Sequence, residues 1–142
     1  LIGGKKDPEI MLGEKVENEE QSSYEKLISE MAKKYNFSQV GLSLRESFSA
    51  DHNDWSGIFY SNNNVVRSKK YEIQIVDRVG AGDAFSAGLI YGIFNNYSSQ
   101  ETLDFAIAGS ALAHTFQGDY NLATIDEIQA VAGGDVSGRI RR

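Results

Sequence analysis

The stretch that decides the fold is VDRVGAGDAFSAG, residues 76–88. An apolar strand-like run, Tyr71–Val76, leads into it, and an apolar series (Ala84, Phe85, Ala87, Gly88, Leu89, Tyr91, Gly92) leads out of it, so the spacing predicts a strand, a tight small-residue turn and a helix beginning near Ala81. A helix start carries unpaired N–H groups and a partial positive charge. With little or no side chain at Gly80, Ala81 and Gly82, an anionic oxygen can come close to those N–H groups, and the turn reads as an anion site, phosphate included. It is not a P-loop, because Asp83-Ala84 stands where a Lys-Ser or Lys-Thr pair belongs. It is a weak dinucleotide fingerprint, because Phe85 takes the place of the third glycine.

Working outward, Asp83 has two readings. It is either an ordinary first-turn acid favoured by the helix dipole, or a base that takes a proton from a hydroxyl beside amides that steady a transferring phosphoryl group. Asp77, at the expected strand end, is a cation ligand or a turn-capping acid. Downstream, two more helices are expected, Gln100–Thr115 and Thr124–Ala132, the second with Thr124 as cap and Glu127 at its third position. Upstream, a strand end at Gly3-Gly4 is followed by a short helix near Asp7–Leu12, stopped by Gly13. A helix from Glu19 to about Tyr35, capped by Asn18 with Gln21 completing the box, presents Tyr24, Leu27, Ile28, Met31 and Tyr35 as a packing stripe. Ser38–Leu44 reads as a buried strand. Ile58–Tyr60 and Val65–Arg67 read as a hairpin around Ser61–Asn64, with His52, Asn53 and Trp55 in a polar loop before it. Alternating strands and helices in 142 residues make one α/β domain.

Composition narrows the function. A formal net charge of −6 argues against phosphate-backbone binding, and the one basic cluster, Arg139, Arg141 and Arg142, reads as a solvated tail rather than a nucleic-acid arm. No apolar run approaches a membrane span, and no N-terminal leader pattern is seen. The absence of cysteine excludes disulfides and thiolate metal sites and fits a reducing, cytoplasmic setting; two histidines are too few for a histidine-rich metal site. The start at Leu1, close to a strand end, reads as a piece of a longer protein.

The seven residues Asp77-Arg78-Val79-Gly80-Ala81-Gly82-Asp83, with Ala84, Phe85 and Gly88 after them, resemble the Asp-Thr-x-Gly-Ala-Gly-Asp signature of the ribokinase-like (PfkB) carbohydrate kinases. Arg78 departs from the usual threonine. Together with Leu44-Arg45-Glu46-Ser47 and Gly118-Asp119-Tyr120-Asn121, it resembles the 2-keto-3-deoxygluconate kinase branch. The resemblance covers essentially the whole chain but only the C-terminal part of such an enzyme. It implies the C-terminal portion of a three-layer α/β/α fold over residues 1–142, with the N-terminal portion and lid lying elsewhere in the protein.

By resemblance, Asp83 is the catalytic base at the sugar hydroxyl, and Gly80, Ala81 and Gly82 are the anion hole. Asp77 belongs to the monovalent-cation and phosphate region, and Asp119 contacts the sugar. Ser43–Ser47, including Arg45, sits where a nucleotide loop follows a strand, though without the usual glycines, and Ser110 falls on the helix bordering the adenine pocket. The implied ligands are ATP, Mg2+ and a monovalent cation such as K+, with a sugar acid as acceptor; the implied partners are the N-terminal part of the same protein and a second copy in a homo-oligomer. The Asn-x-x-Glu motif associated with magnesium is not intact, and Asp7 or Glu9 stands in a comparable place, where the alternative is a plain helix-start acid. Other readings stay open. Arg45 is a phosphate fork or a surface arginine; Trp55 covers a base or anchors a hairpin; His114, near a helix end, is read as a charged group meeting the dipole rather than a catalytic one. The functional alternatives are another sugar or nucleoside kinase of the family, or a nucleotide-binding module without catalysis.

Overall fold

The computed structural model describes residues 1–16, 18, 20–49 and 52–134. The basic tail at Arg139–Arg142 lies outside them. Five strands form one mixed sheet. β1 (Ile2–Gly4) runs parallel to β2 (Gln39–Ser47), and β2 pairs antiparallel with β3 (His52–Ser61) over its whole length, from Gln39 opposite Ser61 to Ser47 opposite Asn53. β4 (Asn64–Arg67) and β5 (Tyr71–Gln74) follow one another along the other edge of β3. Helices α1 (Asp7–Leu12), α2 (Gln21–Lys34), α3 (Ala81–Phe94), α4 (Ser99–Ala113) and α5 (Ile125–Ala132) complete the chain.

Because side chains alternate across a strand, the β2–β3 pair sorts its residues into two faces. Val40, Leu42, Leu44, Ile58 and Tyr60 point to one side, where α2 lays Tyr24, Leu27, Ile28 and Met31 on them. Trp55 and Phe59, with Ile73 of β5, point to the other, against Phe85 and Leu89 of α3 and Leu103, Ala106, Ile107 and Ala111 of α4. This is the expected three-layer arrangement, helix, sheet, helices. Each fully buried aliphatic contributes roughly 1.5–3 kcal/mol by leaving water. α3 and α4 cross closely at Gly88, where an added Cβ would lie 2.5 Å from the Ala106 Cα, so a side chain there would force the helices apart. α5 covers the outside of α4 through Ile128, Phe105 and Ala108.

α3 starts at Ala81 and α5 follows Thr124, whose hydroxyl and Glu127 form the expected reciprocal cap. The same device opens α4, from Ser98 and Glu101, one residue earlier than its periodicity suggested. Four expectations change. α2 begins at Gln21 with Glu20 at the cap position; Asn18 lies ahead of it, its Oδ1 accepting from the Glu20 N–H at 3.0 Å and the Ser23 hydroxyl at 2.6 Å. β5 ends at Gln74 rather than Val76. His52, Asn53 and Trp55 are not in a loop but in β3, and Ser43–Ser47 is not a loop after a strand but the continuation of β2. Polar side chains hid this pairing: Arg45, Glu46 and Ser47 are exposed at the far end of the hairpin, where backbone ladder bonds rather than apolar burial hold the strands together.

Candidate functional site

The turn before α3 is built by Asp77. Its Oδ1 accepts from the N–H groups of Arg78 at 2.6 Å and Val79 at 3.2 Å, and its Oδ2 accepts from the Gly118 N–H at 2.9 Å. These bonds, Gly118 foremost, hold its carboxyl below the usual carboxylate range. Asp77 thus caps the turn, and across 41 residues of sequence it pins a second loop to it. Gly80 then takes φ +82°, a left-handed conformation that suits glycine, and an added Cβ would sit 2.3 Å from the Asp119 carbonyl oxygen. The Gly118–Asp119 loop thus lies directly on the turn. Asp77, Gly80 and Asp119, three of the residues singled out from sequence, converge through backbone contacts.

From Gly80 the helix opens with Ala81, Gly82 and Asp83, whose N–H groups have no carbonyl behind them, and no side chain caps them. Gly82 and Asp83 are exposed; Ala81 is buried. Asp83 occupies the first turn, where the helix dipole favours its charge. One carboxylate and open amides therefore share one end of α3, a combination able to hold an anion and accept a proton.

Ser110 does not face a cleft. It is fully buried, and its hydroxyl donates to the Ala81 carbonyl at 2.7 Å, tying α4 to the start of α3. One turn later His114 corrects its sequence reading. It is buried, not a charged cap, and burial foremost, with the nearby Arg45 and Arg78 charges, pushes its pKa down, so the ring is neutral near pH 7. Its Nδ1 stands 2.8 Å from the Ser110 carbonyl, which can only accept, so that nitrogen carries the proton. The His114 carbonyl in turn accepts from the N–H groups of Val76 at 2.8 Å and Asp77 at 3.3 Å.

A cavity of about 650 Å³ opens beside the ends of β1 and β2, lined by Gly4, Lys5, Lys6, Asp7, Ser43, Arg45, Glu46, Ser47 and Trp55. It gathers Ser43, Arg45 and Ser47, three of the residues expected at the nucleotide, although on a strand; Gly80, Gly82 and Ser110 are not in its lining. Trp55 forms its inner wall and packs edge-on against His114, ring centroids 4.7 Å apart. Asp7 lines the cavity while accepting from the Gly4 N–H at 2.7 Å; Glu9 pairs instead with Lys15 at 3.0 Å and is not in the wall. Among the described residues no group of three or more His, Cys, Asp or Glu side chains is placed to hold a metal. Lys5, Lys6 and Arg45 suit a polyphosphate better than a resident cation. Asn53, which sequence reading left in a loop, is completely buried on the Trp55 side of β3, and among the described residues neither of its amide atoms is paired, nor is Trp55 Nε1. Nothing in the sequence signalled that, because a lone asparagine between polar neighbours looks like a turn.

The pfkB family carbohydrate kinase profile matches residues 56–125, the stretch that carries the glycine turn, and that stretch belongs to the family. Individual relatives narrow the comparison. The crystal structure of 2-dehydro-3-deoxygluconokinase from Thermotoga maritima superposes with a TM-score of 0.91 at 46% identity, covering 94% of this chain and 41% of that one. A candidate 2-keto-3-deoxygluconate kinase from Enterococcus faecalis gives a TM-score of 0.82 at 32% identity, covering 99% and 42%. The 1-phosphofructokinase of Haemophilus influenzae is 42% identical over 57 residues, 39% of this chain and 18% of that protein. The chain spans less than half the length of each of these proteins.

No helix among the described residues is long and apolar enough to cross a membrane.

Proposed function

We propose that this chain is the C-terminal, nucleotide-handling part of an ATP-dependent sugar kinase, and that its acceptor is 2-keto-3-deoxygluconate, phosphorylated on the 6-hydroxyl. One observation carries this reading: Asp83 and the open amides of Gly80–Asp83 share the end of α3, with the Asp119 loop pinned on top of them by Asp77. Similarity over 94% of the chain to the Thermotoga 2-dehydro-3-deoxygluconokinase supports the choice of sugar.

In this reading Asp83 takes the proton of the acceptor hydroxyl as its oxygen bonds to the γ-phosphorus of ATP, while the bond from that phosphorus to the β–γ bridging oxygen breaks and ADP leaves. Gly80, Ala81 and Gly82 present amides to the phosphoryl oxygens. Lys5, Lys6 and Arg45, with Ser43 and Ser47, hold the nucleotide's phosphates in the 650 Å³ cavity, and Asp119 orients the sugar. ATP enters as its Mg2+ complex, and that ion screens the phosphate charge. Ser110 borders this region from behind α3. No step passes through a cation on Asp77, whose carboxylate serves the backbone. Catalysis of this kind rests on positioning and charge neutralisation.

The remaining segments belong, in this proposal, to the same protein. They cover β1, which is the outer strand of the sheet, and the exposed Val76, Val79, Tyr120 and Leu122 around the turn. The setting is the cytoplasm, where ATP is available, and a homo-oligomer is part of the proposal by resemblance alone.

The test is Asp83→Asn in the intact protein. Turnover of 2-keto-3-deoxygluconate with MgATP should fall by about a thousandfold or more, the upper range for losing a general base, while ATP affinity holds. Wild-type turnover in that variant would sink the base assignment. A second reading, favoured by the match to 1-phosphofructokinase, is a kinase for a phosphorylated ketose; fructose 1-phosphate turned over faster than 2-keto-3-deoxygluconate would select it. Calorimetry showing ATP binding without turnover of any sugar would select a non-catalytic module.

A further inference from the structure

We propose that Ser110 and His114, one helical turn apart at the C-terminal end of α4, are positioning residues that set the anion turn against the wall of the nucleotide cavity. The inference rests on the reading of Asp77–Asp83 as the phosphoryl-transfer turn, and it assigns a role to two buried residues of α4 and its end.

Three backbone points of the turn are held from α4. The Ser110 hydroxyl grips the Ala81 carbonyl at 2.7 Å, and the His114 carbonyl receives Val76 and Asp77 N–H at 2.8 and 3.3 Å. These contacts bracket the turn on both sides of Gly80. The two α4 residues are themselves coupled, since His114 Nδ1–H donates to the Ser110 carbonyl at 2.8 Å. The far side of the His114 ring meets Trp55, which lines the cavity. A continuous path of direct contacts therefore runs from the cavity wall through His114 and Ser110 to Ala81, whose amide opens the helix.

Physical reasons favour positioning over simple packing. A packing residue at either site would be apolar; α4 is otherwise buried mainly through Leu103, Phe105, Ala106, Ile107, Ala108 and Ala111, with Thr102 a further buried polar side chain. Serine and histidine are costly there unless their hydrogen bonds are made. The Ser110 hydroxyl bonds to the turn itself, at the Ala81 carbonyl, and the His114 ring bonds to the Ser110 carbonyl, so that ring acts on the turn through the α4 backbone that Ser110 and the His114 carbonyl share. The glycines around Ala81 leave that turn little side-chain packing of its own. Its amides hold a fixed direction only if something outside the turn holds its carbonyls. Phosphoryl transfer depends on that direction, because stabilising amides help only when aimed at the developing charge.

The experiment compares Ser110→Ala, His114→Phe and His114→Asn in the intact protein, with Asp83→Asn as reference. His114→Phe keeps a ring against Trp55 but loses the donor; His114→Asn puts an amide N–H near the place of Nδ1. Expected are a drop in kcat of about tenfold for Ser110→Ala and His114→Phe, with KM for the sugar within about twofold, and recovery of most of the loss in His114→Asn. The amide resonances of Gly80, Ala81 and Gly82, followed while a non-hydrolysable ATP analogue is added, should shift less in the two weak variants.

The proposal is overturned if kcat stays at wild type in Ser110→Ala while Asp83→Asn is dead, which leaves the turn's role intact. It is also overturned if His114→Asn is no better than His114→Phe, or if activity in all three tracks only the folded fraction seen by thermal denaturation. If Asp83→Asn itself turns over normally, the reading of the turn fails instead, and the Gly80–Gly82 resonances still report whether α4 orders it.

Discussion

The two faces of the sheet are covered by the same kind of element and serve different ends. The α2 face is closed by branched and long apolar side chains, Ile28 and Met31 of the helix on Val40, Leu42 and Ile58 of the strands, all at most 1% exposed. The face under α3 and α4 has Phe59 and Ile73 but also Gly41, Ser43, Asn53, Trp55 and Gly57 in its strands, and α4 is joined to the turn by hydrogen bonds and to the cavity wall by the ring contact of His114 with Trp55. One face is packed for stability. The other trades apolar contact for small and polar groups, including an asparagine amide and an indole N–H that find no partner among the described residues. Natural proteins leave such groups unpaired mainly where function asks for them.

The sharpest way to break this contrast is Ile28→Ala. A cavity in the tight α2 face should lower stability by about 2–5 kcal/mol, read as a fall in the denaturation midpoint. Below that midpoint kcat should not move, since Ile28 is on the opposite side of the sheet from Asp83. A large kcat defect would show that the faces are not separable.

Gly80→Ala tests the other face. The substitution forces a Cβ into a left-handed residue and against the Asp119 carbonyl, at 2.3 Å. Stability should fall by about 1–3 kcal/mol, less than for Ile28→Ala, yet turnover should drop by about a hundredfold, as displacing a positioning element by an ångström does. Equal losses of stability and no excess loss of turnover would remove the turn from the site.

How much of this division could be read in the sequence depends on range. The turn, α3 from Ala81 to Phe94 and the α2 stripe were legible because glycine spacing and a 3.6-residue apolar period are local signals. Thr124 and Glu127 announced α5 for the same reason. The long β2–β3 hairpin was not legible, since its outer half carries Arg45, Glu46, His52 and Asp54, and only cross-strand pairing makes those residues strand. The bond from Asp77 to Gly118 and the burial of His114 depend on partners far along the chain, which no window of sequence contains. His114 is the instructive failure. Its place at a helix end suggested a charge stabilised by the dipole, but the burial against Trp55 and the Arg45 and Arg78 charges outweigh that term.

That balance gives the smallest prediction, a dependence on pH. The His114 pKa is depressed in the folded chain, mainly by burial and also by Arg45 and Arg78, with the Ser110 carbonyl opposing. In the unfolded chain it titrates near the ordinary value of about 6.5. As pH falls through that value the unfolded state takes up a proton that the folded state does not, so the unfolded state gains. The stabilising contribution is therefore complete above pH ~6.5 and drains away as pH drops toward the folded pKa. Asp77 works in a separate window: its pKa is depressed by Gly118, Val79 and Arg78, so its contribution is present above the ordinary carboxylate value of about 3.9 and is lost only below it. Midpoints recorded between pH 7.5 and 5, conditions chosen to bracket histidine alone (~6.5 unfolded), should fall in the wild type and fall less in His114→Asn, which has nothing to protonate there. Parallel slopes in the two proteins would mean that His114 accepts its proton without cost. The α4 end would then be as open to water as the helix-end charge reading supposed, and the polar face would owe its groups to exposure rather than to the turn they hold.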